Sequence, residues 1–269
     1  MAGSQANGAT IAAIDRALGL DKPLPVQYGI YIVHLLHGNM GVSNRDQAPV
    51  ALHIAAAFGP TLWLTLASMI VAILVGLVAG VVASVHHNRF LDYTTTSAAM
   101  FGISLPSFVL GLALIWIFAV DLRWFPTGGN GSPSALVLPA ITLGAGAAAT
   151  IARITRSEML DVLGQDYVRT ARAKGQRESI IVNRHALRNA LIPIVTVIGL
   201  QFGFLISGAI IVETVFTWPG IGRLLIDSIT LRDYPVIQGV ILVFALEFIV
   251  VNLLTDVLYT RVDPRIRYS

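Results

Sequence analysis

The chain has no cysteine among its 269 residues. A disulfide framework and any thiolate-held metal are therefore excluded. Charge is scarce too. Asp, Glu, Lys and Arg make up 12% of the residues, against about 25% in an ordinary soluble domain. No G-x-x-x-x-G-K-[ST] run is present, so the chain does not itself cradle ATP phosphates. G-x-S-x-G and H-E-x-x-H are absent as well, which removes the commonest signatures of a serine hydrolase or a zinc protease. The basic residues carry no interleaved aromatics and cluster at the edges of apolar segments, which argues against nucleic acid as a partner. The first residues hold no apolar signal-peptide core.

What is abundant is apolar. Hydrophobic residues are 55% of the chain and the mean hydropathy is +0.74. The class is an all-α polytopic membrane protein. Five spans of about 20 apolar residues are read, each long enough for a ~30 Å hydrocarbon core. The first covers residues 60–85, with Pro60 tolerated in a first turn and Gly76 and Gly80 set for close helix packing. The second covers 97–120. Ser104-Leu105-Pro106-Ser107-Phe108 interrupts it, and Pro106 makes a kink that serves either as a hinge or as static structure. The third covers 136–151 and extends past the membrane to Leu163. Gly144, Gly146 and nearby alanines give it a smooth face. The fourth covers 190–212 with Gln201 as a lone polar group, read as a helix-to-helix hydrogen bond or a pathway contact. The fifth covers 236–259 with Glu247 and Asp256. A mid-membrane charge costs several kcal/mol unless shielded, so Glu247 is expected to face the protein interior or a cavity.

Residues 1–59 are read as an external N-terminal segment. Ile11 to Leu18 allows a short helix, Pro23 and Pro25 break regular structure, and Tyr31 to Leu36 is a short apolar stretch ending at Gly38. Residues 121–135 are a Gly- and Pro-rich turn with Trp124 and Phe125 at a membrane interface.

The most basic stretch lies between spans, Asp166 to Pro193 (DYVRTARAKGQRESIIVNRHALRNALIP). It reads as two short helices broken at Gly175-Gln176. Asp166 is placed at the N-cap, and Gly175 at the left-handed position that ends a helix. Tyr167, Val168 and Ala171 share one side, while Arg169, Arg172 and Lys174 lie largely elsewhere. So short a helix is stable only when docked.

Arg169-Thr170-Ala171-Arg172-Ala173-Lys174-Gly175, followed by His185 to Ala190 and Pro193, resembles the EAA loop of ABC-importer permeases. The likeness is to the B-type subunit of the dipeptide/oligopeptide/nickel branch, with Arg169 where the general motif has Glu. Glu213-Thr214-Val215-Phe216-Thr217-Trp218-Pro219-Gly220-Ile221-Gly222-Arg223, Asp233-Tyr234-Pro235 and the tail Asp263-Pro264-Arg265 are similar to the same family, as is Asp21 to Ser43. Family members carry a further membrane helix before Asp21, so the expectation is either a sequence that starts late or a first span that is missing.

The resemblance implies a type I importer fold. The domain spans 60–260, with a cytoplasmic coupling loop over 164–188 and a cytoplasmic tail over 261–269. It implies coupling to an ATPase through Asp166, Tyr167, Arg169, Thr170, Ala171, Lys174 and Gly175, with Ala171 and Ala173 keeping the docking face shallow. It also implies an outer gate around Glu213, Phe216, Trp218, Pro219 and Gly220. Pro106, Gln201 and Glu247 are candidate hinge or pathway residues. The implied partners are a second permease, two ATP-binding subunits that carry ATP and Mg, a periplasmic or lipoprotein solute-binding protein, and membrane lipid. No cofactor is expected on this chain.

The resemblance implies a bacterial inner-membrane protein, and charge supports a cytoplasmic C-terminus. Residues 86–96, 153–188 and 261–269 hold 12 of the 18 Lys and Arg, as the positive-inside rule requires of cytoplasmic segments. The function expected is transport of di- or oligopeptides, with nickel or glutathione import as the alternative within the family. An intramembrane enzyme is disfavoured. Glu247 and Asp256 stand about 13 Å apart along a helix at ~1.5 Å per residue, too far for a carboxylate pair. The six histidines fall outside the spans, and His86-His87 is read as interfacial rather than as a metal pair. An ATP-independent carrier would show internal repeats and a polar mid-membrane site.

Overall fold

Regular structure is entirely helical in the computed structural model, which describes residues 22–262. The readings on Ile11 to Leu18, on Asp21, on the side chain of Asp256 and on Asp263 to Arg265 fall outside what is described. Nine helices follow in order: α1 Leu24–Leu36, α2 Val50–Val85, α3 Phe90–Ser104, α4 Ser107–Asp121, α5 Val137–Leu163, α6 Asp166–Ala173, α7 Glu178–Val215, α8 Ile221–Thr230 and α9 Tyr234–Val262. Four helices are long and apolar enough to cross a membrane, and the bent pair α3–α4 brings the number to five.

The chain divides into two compact units. The smaller comprises the described residues up to Ala56 together with Leu224–Leu242. Here α1 forms despite its prolines, because Pro23 is the N-cap and Pro25 lies in the first turn, where no carbonyl awaits its missing N–H. The expectation that these prolines forbid helix is thereby corrected. Buried Asp233 ties down the following loop: it accepts from the Ser43 hydroxyl at 2.5 Å and from the Asn44 N–H at 3.0 Å. Gly239 leaves room for Val50, whose Cγ1 a Cβ at Gly239 would meet at 2.6 Å.

The larger unit comprises Ala57–Arg223 and the chain from Val243 onward. Its centre is α5, which packs against α3, α4 and α7. Small residues make the close approaches possible. A Cβ at Gly76 or Gly80 of α2 would run into Ala148, Ile151, Ala152 and Thr155 of α5, and one at Gly144 would lie 2.6 Å from the Ser68 carbonyl. The expected close packing at Gly76, Gly80 and Gly144 is found, whereas Gly146 faces open space. Leu64, Leu138, Ile151, Val212 and Phe216 fill the core between them. Outward faces stay apolar, with Trp63, Trp116, Phe204 and Phe248 each more than 60% exposed, as a lipid-facing surface requires.

Three span boundaries differ from those expected. Helix α2 begins at Val50, so Pro60 lies inside it rather than in its first turn. At ~1.5 Å per residue, its 36 residues reach about 54 Å and extend well beyond a membrane core. Helix α7 likewise starts at Glu178, so the second half of the basic loop is no separate short helix. It runs into the fourth span through a π-helical turn over Ile181–Leu187. Finally, the second span is broken outright, not kinked: α3 and α4 meet at 106°. Leu105 before the proline is extended, at φ −78° and ψ 125°, because proline disfavours helical geometry in its predecessor. The Ser104 hydroxyl donates back to the Met100 carbonyl at 2.9 Å and closes α3.

Candidate coupling loop, gate and cavity

The basic loop is built on α6. Val168 and Ala171 face inward and cluster with Ile181 and partly buried Leu163. Arg169, Thr170, Ala173 and Lys174 point outward. Two sequence readings change here. Asp166 is the first helical residue and not the N-cap; Gln165 holds that place without a capping side chain, and Asp166 instead meets Arg169 at 3.5 Å on the surface. Ala171 does not form part of an outward docking face, because it is needed in the small core that holds α6 down.

The end of α6 is as expected. Gly175 adopts φ +74°, its N–H donates to Arg172 O at 2.9 Å, and the Gln176 N–H donates to Ala171 O at 3.2 Å. This is the paired-bond stop that favours glycine. Beyond it, Arg172 donates to Glu178 at 2.5 and 3.2 Å. That carboxylate holds the Arg172 guanidinium above its ordinary pKa. The Tyr167 hydroxyl accepts from Asn189 at 2.9 Å and ties α6 to α7. All seven candidate coupling residues therefore lie in one local structure, six of them exposed.

Glu213, Phe216, Trp218, Pro219 and Gly220 also come together, around the start of α8. Glu213 is fully buried. Its Oε2 accepts from the Gly222 and Arg223 N–H groups at 2.8 and 3.1 Å, and its Oε1 from the Thr61 hydroxyl at 2.6 Å. The Ile221 N–H donates to Thr61 Oγ1 at 2.8 Å. The first three N–H groups of α8, which have no partner inside their own helix, are thus satisfied by side chains of two other helices. Glycine is required beside them. A Cβ at Gly220 would land on the Glu213 carboxylate, and one at Gly222 on the Ile210 backbone. Around Pro219 the Gly220 N–H turns back to Trp218 O at 2.8 Å, while the Trp218 indole donates to Pro60 O at 2.9 Å. Phe216 is buried in the main core, and its carbonyl accepts from the Gly129 N–H at 2.9 Å.

The α3–α4 break opens onto a cavity of about 300 Å³. Leu105 and Ser107 on either side of Pro106 line it, together with Thr142, Thr150 and Gln201 from α5 and α7. Of the three hinge or pathway candidates, Gln201 lines this cavity and Pro106 lies between two residues that do. Glu247 does not line that cavity. It is half-buried on α9, with Oε2 enclosed and without a hydrogen-bond partner.

Sequence reasoning missed one pair. Asp92, fully buried at the start of α3, accepts from Arg156 of α5 at 2.5 and 2.8 Å, from the Asn88 N–H at 2.9 Å and from Thr96 at 3.3 Å. The available signal was one acid in an otherwise uncharged helix start; its partner lies 64 positions away. No group of three or more His, Asp or Glu side chains suited to a metal occurs among the described residues.

Comparisons with known proteins agree with this architecture. Residues 72–268 match the family described as the binding-protein-dependent transport system inner membrane component. The glutathione transport system permease protein GsiC of Salmonella choleraesuis is 53% identical over all 269 residues, which cover 88% of its length. That of Escherichia coli K12 is 52% identical over the same extent. Among solved structures, an inward-facing form of the MetNI methionine ABC transporter aligns with a TM-score of 0.68 at 21% identity, over 79% of this chain and 97% of that one. At that identity the likeness concerns the fold alone. The chain belongs to the binding-protein-dependent family of inner-membrane transport components, as a multi-pass permease subunit of an ATP-driven ABC importer in the peptide/opine/nickel group with the type I importer fold.

Proposed function

We propose that the solute is a small peptide of the glutathione type and not a general di- or oligopeptide. The observation that carries this reading is the identity of 52–53% across the whole chain to permeases named for glutathione transport. The permease works with a second permease subunit, two ATPase subunits and an external solute-binding protein. Its domain is read as 60–260, with the loop over 164–188 and the tail over 261–269 in the cytoplasm, a reading that the excess of Lys and Arg in these segments supports.

In this reading the outward face of α6, carrying Arg169, Thr170 and Lys174, sits in a groove of the ATPase. Closure of the ATPase dimer on ATP drags α6, and the Tyr167–Asn189 and Arg172–Glu178 bonds pass that movement to α7. The far end of α7 carries Glu213, so its displacement acts on the start of α8 at the outer gate. Solute then crosses along the cavity at Pro106 and Gln201. ATP and Mg stay on the partner subunits.

The test begins with a pull-down in mild detergent from the native membrane. Recovery of an ATPase, a second permease and a binding protein is expected. The recovered complex in proteoliposomes should then accumulate labelled glutathione only with ATP and binding protein. Recovery of this chain alone would overturn the partner reading. ATP-driven uptake of dipeptides without glutathione would overturn the solute reading while leaving the importer intact.

A further inference from the structure

A second cavity, of about 230 Å³, lies between α2, α3 and α5 in the larger unit. Its lining is divided by depth. At one end stand Thr95 and Thr96 of α3, next to the α2–α3 turn, with Arg153, Arg156 and Ser157 of α5. At the other end the walls are Ala79, Ala99, Met100, Ile103 and Ala152. Thr95 and Ile103 are eight positions apart on one helix, about 12 Å at ~1.5 Å per residue. The cavity therefore has a basic, hydroxyl-bearing mouth and an apolar throat running toward the middle of the spans.

The charge at the mouth is one-sided. No carboxylate lines the cavity. Arg153 is exposed and makes no ion pair among the described residues. Arg156 spends Nε and Nη2 on buried Asp92, and Nη2 also lies 3.3 Å from His87 Nδ1, which fixes the guanidinium plane and leaves Nη1 over. The fixed Nη1 amino group of Arg156 beside the free guanidinium of Arg153 suits a phosphate, whose oxygens accept several N–H groups. Met100, 66% exposed, marks the side on which the throat is open. A free phosphate would occupy the mouth alone and leave the throat empty of any matching group. A molecule with a phosphate at one end and a hydrocarbon chain at the other matches both.

We propose that this cavity seats one anionic phospholipid of the surrounding bilayer, with its phosphate on Arg153 and the outer edge of Arg156 and an acyl chain along Ala99, Met100 and Ile103. The occupied site bridges α3 and α5 beside the Asp92–Arg156 pair. It does not depend on the identity of the transported solute.

The test is native mass spectrometry of the purified complex, delipidated and then titrated with dioleoyl phosphatidylglycerol, with dioleoyl phosphatidylcholine, or with inorganic phosphate. One phosphatidylglycerol should be retained in preference to phosphatidylcholine. Arg153→Gln should weaken that retention roughly fivefold, from the loss of one basic contact at a lipid surface. Arg153 is exposed, so this change does not threaten folding. Ala99→Phe fills the throat without touching charge and should also displace the lipid, with phosphatidylcholine binding elsewhere unaltered. Equal retention of the two lipids, or indifference to both substitutions, would overturn the proposal. So would saturation of the site by inorganic phosphate with no gain from an acyl chain, which would make it a free-anion site. A cross-link from Met100 to the second permease subunit in place of lipid would overturn it as well.

Discussion

Helices α6 and α7 stop in the same way and are held in opposite ways. Each ends with a left-handed residue and two backbone bonds that close the last turn: Gly175 and Gln176 onto Arg172 and Ala171, Thr217 and Trp218 onto Thr214 and Glu213. At the first stop the left-handed residue is glycine, at the second a β-branched threonine with φ +49°. The surroundings explain how the second is tolerated. Around Thr217 the chain is fastened by the buried Glu213 carboxylate, the Trp218 indole and the Phe216 carbonyl. Around Gly175, beyond the small core under α6, the fastenings lie at the surface: an exposed ion pair, the Tyr167–Asn189 bond and the His185–Gln176 bond. A buried network can hold a residue in a conformation it disfavours. A surface loop needs a residue that disfavours nothing.

The largest effect should come from removing what makes the Glu213 end of α7 rigid. Glu213→Ala leaves the Gly222 and Arg223 N–H groups buried without acceptors, and about 3 kcal/mol or more of stability should be lost. Gly220→Ala should cost a similar amount, since its methyl would occupy the position of the carboxylate. Glu213→Gln is the sharper probe. Its amide oxygen can still accept both N–H groups, and its NH2 can donate to Thr61 Oγ1, so most of the stability should remain. Thermal unfolding of the purified protein in detergent measures all three. If Glu213→Gln fell as far as Glu213→Ala, charge and not acceptor geometry would be holding α8.

A smaller effect on stability and a larger one on function is expected at α6, the proposed coupling end. Ala171→Asp places a carboxylate against Val168 and Ile181, and burying it unpaired is unfavourable. Helix α6 should detach while the spans stay folded. Membrane insertion and the main unfolding transition should be unchanged, and solute-stimulated ATP hydrolysis should disappear. Normal coupling by this variant would mean that α6 need not be docked on its own chain.

Much of this was legible in the sequence, and the illegible part has one cause. Apolar runs fixed the spans, and Gly175 announced its own stop because backbone conformation is a local property. Helix starts were read less well. His53 and Pro60 interrupt the pattern of α2, so Val50 to Gly59 looked like external chain; in the structure a proline is simply carried inside a long helix. The motif from Trp218 to Gly222 was recognised by resemblance. Its physical reason, an acceptor carboxylate that a side chain at Gly220 would displace, depends on Thr61, which lies 152 positions from Glu213. Asp92 and Arg156 were likewise joined only by folding. Pairings across the bundle leave no periodicity behind.

Exchanging the two stops tests the comparison most directly. Gly175→Ala puts a Cβ into left-handed backbone with open space around it, so the cost is the conformational one, about 1 kcal/mol. Thr217→Gly relieves the same strain at the other stop. Its gain should be smaller, because glycine also loses more backbone entropy on folding. A buried fastening overrides residue type and a surface one does not, so Thr217→Gly should leave amide exchange at Trp218 to Gly222 slow. By the same logic, Gly175→Ala should speed exchange through α6. Arg172→Ala removes a pair whose side chains are 44% and 55% exposed, and should cost under about 1 kcal/mol, with the loss fading as salt is added. Were Arg172→Ala to loosen α6 more than Gly175→Ala does, independently of salt, the coupling end would be held by its ion pair, and the contrast between a buried fastening and a surface one would fail.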